Sequence, residues 1–168
     1  VAGAAAAESL ERHAGAAPAG ADAVARSGAV TIVRVPGELP RFELYAPHAE
    51  LARLLSALEA DGFARGDDGL WTLFEVRAGL PEVEPPTVDA FLPQNLDLER
   101  FSGLSFSKGC YPGQEVVART QHLGELKRRL FRGRARGGGV PEPATPLRAI
   151  DAGRERDGGK VVRAAAAP

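Results

Sequence analysis

The amino-acid sequence predicts an α+β fold in two parts: an α/β domain over residues 1–126 and a β-rich domain over residues 127–168. Three observations predict it. Two β-rich runs, 29–35 and 41–45, are followed by a helical apolar stripe, so strands and helices mix in the first part. Pro81, Pro85, Pro86 and Pro93 interrupt regular structure in the middle. After Lys127 the chain carries strand patterns and glycine-rich turns but no helical periodicity.

In order along the chain, Ala4 to His13 has helix-forming composition with Gly15 as a stop. Residues 16–27 are rich in Ala, Gly and Pro and read as a loop. The run 29–35 is β-branched and closed by Pro36-Gly37; 41–45 alternates polar and apolar, so the pair reads as a hairpin. Pro47 opens a helix in which Leu51, Leu54, Leu55 and Leu58 fall at i, i+3, i+4 and i+7, ended by Gly62. Residues 71–76 read as a further strand, and 88–91 as a helical turn. Pro112 suits the first position of a helix reaching about Gln121. Residues 127–136 then read as a basic strand and 160–163 as a last strand-like piece.

Composition narrows the function classes. Hydrophobic residues at 44% and charged residues at 26% are globular values. A net charge of −1 supplies no field for nucleic acid or membrane, so direct binding of either is not expected. One cysteine rules out an intramolecular disulfide and fits a reducing, cytoplasmic setting. No apolar run approaches the roughly 18–20 residues of a membrane span.

Cys110 is the most informative single residue. It precedes a helix start, where unpaired N–H groups favour negative charge, and Lys108 lies two residues away. Both effects make a thiolate more available; a small buried residue at a tight turn would give the same spacing. A metal site built by this chain alone is not expected. His13, His48 and His122 have no ligand-type partner at i+3 or i+4, and there is no second cysteine. In the basic run, Arg128, Arg132, Arg134 and Arg136 would share one strand face with Leu130, either as a solvated face or as an anion-binding patch.

The run Lys108-Gly-Cys-Tyr-Pro-Gly-Gln-Glu-Val-Val-Ala-Arg119, continued by His122, Gly124, Lys127-Arg128 and Leu130, closely resembles the YgfZ-family signature K-G-C-[FY]-x-G-Q-E-x-x-A-R and its continuation. Residues 91–96, Phe-Leu-Pro-Gln-Asn-Leu, resemble the family's P-Q-x-x-N-L without its two spacer residues. Methionines lost from the sequence would explain both that gap and the absence of Met; chance depletion in a GC-rich source would equally explain the absence of Met. Pro36-Gly37-Glu38 with Phe42-Glu43-Leu44 is similar to the glycine-cleavage T-protein segment whose glutamate holds a folate pterin. Arg77-Ala-Gly-Leu-Pro81 resembles the segment that follows. Thr145-Pro-Leu147 and residues 160–168 are similar to the start of the family's C-terminal barrel.

The resemblance implies a T-protein-like, folate-binding α/β domain followed by an antiparallel β-barrel, of which this sequence is the later half or so. It implies tetrahydrofolate, or a folate derivative, as cofactor. Glu38 would bind the pterin, with Arg77, Lys108, Tyr111, Gln114, Glu115 and Arg119 as further binding residues, and Cys110 would be the functional thiol. Glu38 would equally suit an ordinary hairpin-turn charge. Glu115 and Arg119, one helical turn apart, could pair. The implied role is an accessory protein for iron–sulfur cluster assembly or repair that supports cluster-dependent tRNA modification. Its partners would be iron–sulfur proteins or their assembly machinery. One alternative is a folate-dependent aminomethyltransferase or other one-carbon transferase, but T-proteins proper lack the cysteine motif; the last is an RNA-binding module using the arginine face of residues 128–136.

Overall fold

The computed structural model describes residues 1–124 and 126–167, apart from the Leu123 side chain. Glu125, inside the predicted first domain, and Pro168, the last residue of the 160–168 stretch, lie outside the described residues. The fold is mixed α+β and divides into two compact units, Val1–Ala78 and Gly79–Pro168.

The first unit is a three-stranded antiparallel sheet with helices. Helix α1 spans Ala6–Ala14 and ends on Gly15, which takes the left-handed conformation (φ 78°) that the sequence assigned to a stop. Strands β1 (Val24–Ser27), β2 (Val30–Val35) and β3 (Arg41–Tyr45) lie in the order β1-β2-β3. The β2–β3 hairpin is as predicted, with Ile32 opposite Leu44 and Val35 opposite Arg41. Strand β1 corrects the expected loop. Gly28, with φ 56°, opens a two-residue turn that sends the chain back alongside β2.

Helix α2 spans His48–Ala60, with Pro47 just outside it. Of its leucine stripe, Leu54 and Leu58 are buried and Leu55 is exposed. Leu54 joins Ala6, Leu10, Ala14, Val30, Ile32 and Phe42 in the core, where each large side chain contributes about 1.5–3 kcal/mol of burial. Asp61, capping the C-terminus of α2, accepts from Ser9 Oγ, from Arg12 Nη1 (3.0 Å) and pairs with His13 Nε2 (3.0 Å). The Ser9 hydrogen bond is the main cause holding the Asp61 carboxyl below its ordinary pKa, and it ties α1 to the end of α2.

Residues 71–76 overturn their predicted state: they belong to helix α3, Asp68–Ala78. The capping signal outweighs the strand-like composition. Asp67 Oδ1 accepts from Leu70 N at 2.8 Å, and Asp68 sits in the first turn, where negative charge is favoured.

The second unit holds fewer regular elements. Short 3₁₀ turns occupy Pro85–Thr87, Pro93–Leu96 and Leu98–Phe101, so the helical turn expected at 88–91 is displaced to either side. Helix α4 spans Gln114–Leu123. Its N-cap is Gly113 (φ 83°), which leaves Pro112 one residue outside the helix rather than at its first position. Strands β4 (Pro146–Asp151) and β5 (Arg154–Lys160) form a hairpin. Its two-residue turn, Ala152-Gly153, has positive φ at both positions, as the right-handed twist of the strands requires. The ladder irregularity beside Leu147 sits opposite Gly158, where a Cβ would lie 2.9 Å from Ala149 N.

Two strand expectations fail here. Residues 127–136 form no strand, so no face of four aligned guanidinium groups exists. A strand needs a partner for its backbone groups. Strands β4 and β5 already pair with each other, and no other strand lies in this unit among the described residues. The last strand ends at Lys160 instead of starting there, although Val161 still exchanges backbone hydrogen bonds with Ala144 and Thr145. The β-content beyond Lys127 is this one hairpin, with no closed barrel among the described residues.

Candidate functional site

The predicted site residues fall into two groups, one in each unit. In the first unit, Glu38 and Arg77 line one hollow together with Leu39, Arg41 and Phe74. The turn Pro36–Pro40 between β2 and β3 supplies Glu38 and Leu39, and β3 begins with Arg41. Helix α3 contributes Phe74 and Arg77, one helical turn apart on one face. Reading residues 71–76 as a strand hid this relation, because period two separates 74 from 77.

Arg41 is the residue that the sequence reading missed. It was placed on the polar side of an alternating strand, yet it is 1% exposed. Its Nη2 donates to Pro36 O at 2.6 Å, and its guanidinium lies 4.9 Å from the Trp71 ring centre. Nε and Nη1 are buried without a hydrogen-bond partner. Burial lowers its pKa, and the carboxylates of Glu75 and Glu43 oppose that shift. No pattern in the sequence marks this, since an arginine opening a strand is ordinarily solvated.

In the second unit the Cys110 loop leads into α4. Cys110 is an exposed free thiol. It stands four residues before the first residue of α4, with Tyr111, Pro112 and the N-cap Gly113 between. Lys108 Nζ sits 4.8 Å from the Tyr111 ring centre, so its ammonium is engaged by an aromatic face. Gln114 Oε1 accepts from Tyr111 N at 3.2 Å and closes the loop from the first residue of the helix. Glu115 and Arg119 are both exposed, and among the described residues no ion pair joins them.

Helix α4 is held from beneath by a residue of the 91–96 run that resembles P-Q and N-L. Gln94, 1% exposed, donates from Nε2 to Val117 O at 2.7 Å, which fixes α4 against the 3₁₀ turn Pro93–Leu96. Asn95 continues the clasp, donating from Nδ2 to Arg128 O at 3.0 Å. The P-Q and N-L resemblance was the available signal. Among the described residues, no group of three or more His, Cys, Asp or Glu side chains gathers to hold a metal. No helix among them is long and apolar enough to cross a membrane.

No protein-family profile matches the chain. Its curated relatives include the tRNA-modifying protein YgfZ of Colwellia psychrerythraea, 36% identical over 108 residues, which are 64% of this chain and 32% of that protein. The protein of the same name in Serratia proteamaculans is 33% identical over 121 residues, 72% of this chain and 36% of the relative. In Edwardsiella ictaluri it is 37% identical over 92 residues, 55% and 28% respectively.

The chain belongs to the YgfZ family.

It spans about a third of the length of these relatives. The run that resembles the family signature lies on the Cys110 loop and the first turns of α4, and the residues that resemble P-Q and N-L form the clasp beneath that helix.

Proposed function

We propose that this chain is part of a tetrahydrofolate-binding accessory protein of the cytoplasm that serves iron–sulfur cluster assembly or repair and thereby supports tRNA modification. The hollow in the first unit is the observation that carries the folate reading. A carboxylate (Glu38), apolar walls (Leu39, Phe74) and two guanidinium groups (Arg41, Arg77) line one space, and two nitrogens of Arg41 are buried without acceptors. These residues fit a pterin. Its aminopyrimidine edge offers two adjacent N–H donors to a carboxylate, its ring needs an apolar wall, and its ring carbonyl needs a donor. Glu38 would hold the aminopyrimidine edge and Phe74 the ring. Bound there, tetrahydrofolate would supply one-carbon or reducing chemistry.

The tRNA part of the reading rests on the names of the relatives. The cluster part rests on the Cys110 motif: an exposed thiol on a loop closed by Gln114 is accessible to a cluster or to a partner's thiol as substrate.

Glu38→Gln keeps the size of the side chain and removes its charge. It should weaken tetrahydrofolate binding by about 1–3 kcal/mol, the cost of losing a charge-assisted pair. Titration calorimetry on the protein and the variant measures this, and equal affinities would remove Glu38 from the site.

A further inference from the structure

We infer that Arg41 is a ligand-binding residue of the hollow, donating from its guanidinium to an oxygen acceptor of the bound molecule. The shared chemistry is an oxygen carrying full or partial negative charge. It has two sources in a folate: the carbonyl of the pterin ring and the carboxylates of the glutamate tail. The ligand's name rests on the folate reading above; the subsite itself rests on Arg41.

A buried guanidinium normally has acceptors for its N–H groups, because leaving them unpaired costs the full desolvation of a charged group. Arg41 has one acceptor, Pro36 O, while Nε and Nη1 have none. The Trp71 face offsets part of that cost and holds the guanidinium plane in place. A side chain in this state is preorganised for an acceptor that arrives from outside, and Arg41 lines a hollow together with Glu38 and Arg77. Gly37 leaves room for the Arg41 side chain. A Cβ there would stand 2.9 Å from Arg41 Nε and 3.6 Å from its Cδ. The φ of Gly37 is outside the left-handed region, so the glycine serves space and not backbone strain.

Two variants test this. Arg41→Met keeps the bulk of the side chain and removes every donor. A guanidinium kept only for folding would lower the melting temperature when lost. A guanidinium short of acceptors should leave it unchanged or raise it, because a neutral side chain removes two buried donors that lack acceptors. Gly37→Ala leaves Arg41 present but crowds Nε, and it decides the matter should Arg41→Met fail to fold. Calorimetry with tetrahydrofolate should show affinity falling about 10- to 150-fold in Arg41→Met, and falling in the same direction in Gly37→Ala.

Binding by the folded variants within about twofold of the unaltered protein would overturn the role of Arg41 and leave the folate reading standing. If the unaltered protein takes up no tetrahydrofolate, the folate reading fails and glutarate decides the subsite by thermal shift. A rise in the unaltered protein that is absent in Gly37→Ala supports Arg41 as an oxygen-acceptor site, and no rise in either overturns it. 6-Methyltetrahydropterin, which has the ring carbonyl and no carboxylate, separates the two sources. A loss equal to that for tetrahydrofolate assigns the carbonyl, and no loss assigns the tail.

Discussion

In residues 1–78 the candidate binding groups stand on a packed core, whereas in residues 79–168 they stand on a loop clasped by hydrogen bonds. Among the described residues, all but two of the buried apolar side chains, Leu96 and Val117, belong to the first unit. Its hollow is walled by the turn before β3 and by α3, and the burial of Phe42, next to Arg41 on β3, also fixes where Arg41 stands. The Cys110 loop has no such support. Gln114 closes it, Gln94 holds its helix, and the thiol is exposed. A pocket that must keep a buried charge in place needs a rigid scaffold, while a thiol that must meet a partner needs access.

The contrast can be broken at its strongest point first. Phe42→Ala, in the centre of the first core, should cost about 3–5 kcal/mol of stability by urea denaturation. Val117→Ala, which removes two methyl groups from the buried side of α4, should cost about 1–2 kcal/mol. Equal costs would mean that the second unit is as firmly packed as the first.

Gln94→Leu addresses the clasp. It removes the donor to Val117 O and should destabilise the second unit by about 1–3 kcal/mol. Faster amide exchange is expected over residues 114–122. Unchanged exchange there would show that α4 does not depend on Gln94.

Cys110→Ser should have the smallest effect on stability. The thiol is exposed and the volume change is slight, so the melting temperature should be nearly unchanged. Complementation of a cluster-assembly defect should nevertheless be lost. A serine variant that complements fully would show that the loop matters for shape alone.

The same contrast explains what the sequence made legible. The Cys110 loop was readable as a contiguous motif, because its residues meet through local contacts: Lys108 with Tyr111, and Tyr111 with Gln114. The β2–β3 hairpin, the end of α1 and the start of α2 were readable from periodicity and from Gly15 and Pro47. Arg41 was not, because its burial depends on the placement of α3, and α3 was misread when the Asp67 cap was overlooked beside β-prone Trp71, Thr72 and Val76. The basic run at 127–136 was over-read: alternation describes a strand only where a neighbour supplies the hydrogen bonds.

Hydrogen exchange with and without tetrahydrofolate tests the central claim, that the hollow of the first unit is the folate site. The account predicts slowed exchange confined to the turn and strand around residues 37–42 and to residues 71–77 of α3, and loss of that protection in Glu38→Gln at the same ligand concentration. Protection that appears elsewhere in the chain while both segments exchange as they do without ligand would contradict it.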